Sequence, residues 1–150
     1  MPQSFSKALL HLVFSTKNRE RIILKNIQPK LYAYLAGTCR ELGCEAYRVG
    51  GTGNHVHIAC TLSRTITIAK LTEEIKKSSS AWIKKQNETL NFFAWQAGYG
   101  AFSLGPSQLN ALINYIDNQQ RHHQQKTFKE ELKALLLKYG IEYDERYLWD

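Results

Sequence analysis

The chain has little proline, cysteine or methionine: of 150 residues, three are Pro, three are Cys and one is Met. The three cysteines, Cys39, Cys44 and Cys60, are odd in number and lack CxxC spacing. That argues against a disulfide scaffold and fits a reducing cytoplasm. No apolar run approaches the ~18 residues that a membrane span needs. The opening residues, Met1 to Lys7, lack the basic start, apolar run and cleavage site of a secretory leader. There is no phosphate-cradling Walker loop, so ATP-driven chemistry has no support. Repeats and low-complexity tracts are also missing.

At this length one domain is expected, spanning 1–150, with a C-terminal helix and tail over about 126–150. Hydrophobic residues make up 43%, enough for a core, and the net charge is +7. The charge is uneven. Residues 1–125 hold 15 Lys and Arg against 7 Asp and Glu, whereas residues 126–150 hold 5 against 6. A basic body favours a polyanionic partner.

Residues 7–15 form a short apolar run that reads as a mostly buried strand. Ile27, Leu31, Tyr34, Leu35, Thr38 and Leu42 recur at helical spacing over 27–42, and Gly43 stops the helix. Residues 44–50 and 54–62 are two β-rich runs joined by the glycine-rich turn at Gly50 to Gly53. A second helix follows over about 66–86, with Lys70, Lys76, Lys77, Lys84 and Lys85 on its outer face. A fourth strand is expected over about 92–103. Gly105-Pro106 breaks the chain, and Ser107 is the expected N-cap of a helix over about 108–124 that buries Leu109, Leu112, Ile113 and Ile116. A last helix over about 127–138 lines up Phe128, Leu132, Leu135 and Leu136. The order β-α-β-β-α-β predicts an α+β, ferredoxin-like (RRM-like) split βαβ fold. Its four-stranded antiparallel sheet has helices on one face and leaves the other face free.

Two short signals carry chemistry. In His55-Val56-His57 the imidazoles share one strand face, while Val56, Ile58 and Cys60 alternate onto the core side. Neutral imidazoles at that spacing can grip one divalent ion. Tyr115 and Gln119, four residues apart, share one helix face. Gln119 offers an amide oxygen as a third ligand, and Tyr115 offers a nucleophile. Together these suit transesterification at a DNA phosphate. A phenol with a reference pKa of about 10 needs help to attack near neutral pH, and a nearby metal would supply it.

The strand-borne His55-Val56-His57 and the helical Tyr115-Ile116-Asp117-Asn118-Gln119 resemble the small HUH transposases with a single catalytic tyrosine, the IS200-like family of bacterial and archaeal insertion sequences. The resemblance extends to His11-Leu12-Val13-Phe14-Ser15-Thr16-Lys17, Trp95 to Phe102 and the tail Tyr143 to Trp149. It implies His55, His57 and Gln119 as metal ligands, Tyr115 as nucleophile and Mg²⁺ or Mn²⁺ as the metal. It also implies cutting and rejoining of hairpin-bearing single-stranded DNA through a 5′-phosphotyrosine. Many such proteins are homodimers in which the tyrosine helix of one subunit completes the site of the other. The Gly105-Pro106 break would allow that exchange, and a monomeric group also exists.

Some assignments stay open at the level of sequence. His122 or the adjoining His123 can stand in for Gln119 as ligand. His11 reads as a structural polar residue. Lys17, Arg19, Arg21, Arg48 and Arg64 are possible phosphate contacts, and Trp95, Tyr99 and Phe102 are either base-stacking or core aromatics. The alternatives are a non-catalytic RNA-binding module of the same topology, for which no RNP-like run is present, and a structural zinc domain using His55, His57 and a cysteine.

Overall fold

A computed structural model describes residues 2–149. The strands are β1 (Ala8–Ser15), β2 (Ala46–Gly51), β3 (His55–Leu62) and β4 (Gly100–Leu104), and the helices are α1 (Gln28–Glu41), α2 (Ile68–Gln86), α3 (Leu109–Asp117), α4 (Gln119–His122) and α5 (Phe128–Lys138). The sheet is antiparallel throughout, in the order β2-β3-β1-β4. This is the expected split βαβ arrangement.

Local chemistry accounts for the element ends. Pro29 sits in the first turn of α1, where a missing N–H costs nothing. The helix ends in a Schellman turn: Gly43 has φ +78°, its N–H reaches Arg40 O at 3.0 Å, and Cys44 N–H reaches Cys39 O at 2.9 Å. Thr67 caps α2 by accepting from Lys70 N–H at 3.0 Å. Thr127 and Glu130 form a capping box on α5.

Strand alternation divides the core. Leu10, Leu12 and Phe14 of β1 and Val56, Ile58 and Cys60 of β3 pack with Leu31, Leu35 and Cys39 of α1 and Leu71, Ile75 and Ile83 of α2. On the opposite face, Val13 and Phe102 pack with Phe128, Leu132 and Leu136 of α5. That second face was expected to be free, but α3, α4 and α5 cover it. His55 and His57, expected to be exposed, are therefore 0% accessible.

Four further expectations need correction. The fourth strand starts at Gly100, not near 92. Before it, Trp95 makes one isolated bridge to Thr16, and the Lys76 ammonium takes the carbonyls of Gln96 and Gly98 at 2.8 and 2.6 Å, drawing that segment toward α2. The helix expected over 108–124 is broken at Asn118, whose side-chain amide donates to Asn114 O at 2.8 Å. Its backbone N–H shares that acceptor at 3.1 Å, and α4 restarts beyond it. Ser107 is not the N-cap: the turn starts at Gly105, whose N–H donates to Gln108 Oε1 at 2.9 Å. Of the α3 residues expected inside, only Ile116 is fully buried.

The seat of α3 is a glycine. A Cβ placed on Gly50 of β2 would lie 2.8 Å from Ile116 Cγ2 and 3.1 Å from the Ile116 carbonyl oxygen. The helix therefore rests almost directly on the strand backbone. Gly50 pairs in register with His57 of β3, so this contact lies beside the histidine pair.

Candidate metal and nucleophile site

β3 points His55 and His57 away from the α1/α2 core. α3 brings Tyr115, α4 brings Gln119, and α5 brings a residue not singled out from the sequence, Glu131. Its carboxylate is 2% exposed and sits at the centre of the cluster. Oε1 lies 3.0 Å from His57 Nε2 and 3.1 Å from His123 Nε2. Oε2 accepts from the Tyr115 hydroxyl, and from the Gln119 amide at 3.0 Å. The Gln119 Oε1 atom faces His55 Nε2 at 2.8 Å. The Tyr115 ring meets His57 edge-on, with centroids 5.6 Å apart. Beside it, between α3 and α5, opens a cavity of about 440 Å³ with His11, Leu112 and Tyr139 in its walls.

A sequence signal for Glu131 exists in retrospect. It lies three residues after Phe128 and four before Leu135, inside the apolar stripe of α5. Glu130 is accounted for by the cap, but Glu131 has no reason to sit there unless it has partners.

The donor set fits a metal ion. Ligand atoms of His55, His57 and Glu131 all lie within 4.8 Å of one another, as do those of His122, His123 and Glu131. A ligating imidazole normally gives its second nitrogen to a neighbour, which fixes the tautomer. His55 Nδ1 lies 2.7 Å from Asn54 Oδ1 and 3.0 Å from Thr52 Oγ1, so it carries the proton and Nε2 presents its lone pair inward. That lone pair faces another acceptor, the Gln119 carbonyl oxygen, an arrangement that a cation would relieve. His57 Nδ1 lies 2.7 Å from His11 Nε2, which leaves His57 Nε2 on the cluster side. His11 is thus a polar neighbour that orients His57.

Electrostatics follow from burial. Burial, then the adjacent His57, bring both His11 and His55 down to about 3, so both are neutral. Burial, then the Glu131 carboxylate, push the Tyr115 phenol above its ordinary value. Burial alone would raise Glu131, but hydrogen bonds from His123 and His57 and the nearby imidazoles outweigh it and hold the carboxyl well below the usual range.

Other sequence candidates stand at the edge of this cluster or outside it. His122 Nε2 has no hydrogen-bond partner and stands 3.5 Å from Glu131 Oε2. Cys60 belongs to the opposite face with Cys39 and Cys44, which removes it from any shared site with the histidines. Trp95 and Phe102 are buried, and Tyr99 is exposed. The sheet face that a base-stacking RNA module would present is covered. Arg48 pairs with Asp117 at 3.3 Å, and the Arg19 guanidinium stacks 5.1 Å from the Trp149 ring, while Lys17, Arg21 and Arg64 are exposed. No helix among the described residues is long and apolar enough to cross a membrane.

The family model described as "Transposase IS200 like" matches residues 4–119. The chain belongs to this transposase family. Two solved structures share the transposase fold, each at 17% identity. One is a candidate transposase from Deinococcus radiodurans R1 (TM-score 0.61, covering 79% of this chain and 98% of that one). The other is a REP-associated tyrosine transposase bound to a REP hairpin (TM-score 0.60, covering 82% and 73%). None of the curated proteins matches this transposase chain. Glu131 and His123 lie beyond the matched span.

Proposed function

We propose that this transposase cuts and rejoins single-stranded DNA at the ends of an insertion sequence through a 5′-phosphotyrosine on Tyr115. In this reading His55, His57 and Gln119 hold Mg²⁺ or Mn²⁺. The observation that carries it is the convergence of the Tyr115 hydroxyl, two inward imidazole nitrogens and the Gln119 amide on one buried carboxylate within a single chain. The hairpin held by the structurally similar REP-associated transposase supports a hairpin-bearing substrate.

A divalent ion bound there would grip a non-bridging phosphate oxygen and offset charge developing at phosphorus. The Tyr115 oxygen forms its bond to phosphorus and gives up the phenol proton, which already points at Glu131 Oε2. The bond from phosphorus to O3′ breaks, and the departing oxygen takes a proton to become a free 3′-hydroxyl. Rejoining reverses both changes, with a 3′-oxygen attacking and the tyrosine oxygen leaving. Phosphodiester energy stays in the covalent link, so no nucleotide triphosphate is consumed.

Residues 1–150 act as one domain in this reading, in the cytoplasm, as a homodimer. Because Tyr115 lies against the histidines of its own chain, exchange of α3 between subunits is not needed to complete either site.

The test is incubation with Mn²⁺ and labelled hairpin-bearing single strands from flanking genomic DNA. The expected product is a denaturation-resistant adduct, lost with EDTA, whose nucleotide maps by mass spectrometry to the peptide containing Tyr115. A nucleotide on any other residue, or no adduct across such substrates, overturns the reading. A second expectation concerns His11. Its replacement by Ala removes the partner that orients His57 and should weaken Mn²⁺ binding about 10–100-fold by calorimetry, with the circular dichroism spectrum unchanged.

A further inference from the structure

The geometry points to Glu131 as a further ligand, through Oε1, of the divalent ion held by His55, His57 and Gln119, which makes α5 part of the active site. This rests on the metal-dependent reading above and extends it to a residue outside the segment matched by the family model.

Charge is the first support. A carboxylate removed from water costs several kcal/mol unless an opposite charge is close. Among the described residues, no Lys or Arg forms an ion pair with Glu131. Its neighbours are His55, His57, His122, His123, Gln119 and Tyr115. None of them brings the fixed positive charge of a lysine or arginine. A divalent cation among the imidazoles supplies it.

Proton accounting is the second support, and it is independent. His123 Nδ1 lies 2.7 Å from the Lys126 carbonyl oxygen, which only accepts, so Nδ1 carries the proton. Its Nε2 faces Glu131 Oε1 at 3.1 Å. Two acceptors stand face to face where the bare His55 Nε2 meets Gln119 Oε1 at 2.8 Å. Rotating the Gln119 amide does not cure it, because its oxygen would then face Glu131 Oε2. The cluster has more acceptors than protons, and the shortage lies on the atoms that would ligate an ion. The two possible metal-binding groups share Glu131 and no other residue.

The remaining carboxylate oxygen keeps a separate task. Oε2 accepts from Tyr115 and from Gln119, so one side chain links the ion, the third ligand and the nucleophile.

The test is Mn²⁺ titration of the full-length protein by calorimetry and by electron paramagnetic resonance, without DNA. Glu131→Gln preserves shape but removes the charge, and it should weaken Mn²⁺ binding about tenfold or more. It should also abolish most of the rise in Tm that Mn²⁺ gives the wild type. His57→Ala serves as the control. Unchanged affinity in Glu131→Gln with weakened affinity in His57→Ala overturns this inference alone. Failure of the wild type to bind Mn²⁺ overturns the metal-dependent reading and this inference with it. Should Glu131→Gln not fold, a crystal structure of the wild type with Mn²⁺ decides the matter. The inference requires Glu131 in the ion's inner coordination shell and is overturned by a carboxylate outside it.

Discussion

Tyr115→Phe should form no denaturation-resistant adduct with single-stranded DNA. The substitution removes one oxygen and keeps the ring. The edge contacts with His57, His11 and His122 survive, with centroids 5.6, 6.3 and 5.4 Å apart. Glu131 loses one hydrogen-bond donor but keeps the Gln119 amide. Stability should therefore shift by only about 1 kcal/mol, and Mn²⁺ affinity should be almost unchanged. Strand cleavage should drop by a factor on the order of 10⁴ or more, the scale on which losing a nucleophile acts. Cleavage gels and calorimetry on the same preparation check both halves. Cleavage near the wild-type rate would remove Tyr115 from the nucleophile's role.

His57→Ala should be equally inactive for a different reason, and it should cost stability as well. Its Nε2 contacts Glu131 and its Nδ1 contacts His11, both inside a dry cluster. Removing the ring leaves each partner short of a bond, at about 1–3 kcal/mol each. One imidazole is also lost from the ion's ligands. Binding of single-stranded DNA should persist in part, because exposed basic residues such as Lys17, Arg21 and Arg64 are untouched. Filter binding and cleavage assays should thus separate, with cleavage at background and binding retained. Mixing His57→Ala with Tyr115→Phe adds a topological check. Restored cleavage would require one subunit's tyrosine to serve the other's histidines, whereas the placement of Tyr115 against its own chain predicts none.

The sequence made much of this architecture readable because the signals were local. Alternation in β3 correctly put Val56, Ile58 and Cys60 on the α1/α2 core, and Gly43 marked the end of α1. What alternation cannot report is what covers the other face. The histidines look exposed when only their own strand is considered, and they become inaccessible only because α3 and α5 dock over them. Glu131 was missed for a related reason. Its partners are 12 or more residues away in sequence, apart from the nearby His122 and His123, so only a charged residue in an apolar stripe hinted at it. The break at Asn118 falls inside an apolar repeat that otherwise continues. The late start of the fourth strand depends on Lys76, a lysine on another element that reads as an ordinary surface charge.

At Gly50 the nucleophile's spacing depends on a residue that takes no part in the chemistry. Ile116 sits next to Tyr115, and the strand beneath Ile116 leaves no room for a methyl group. Alanine there would act as a shim, lifting the tyrosine helix off the sheet while every reacting side chain kept its chemistry. Cutting could then be tuned down by thickness alone, with the polar kit intact.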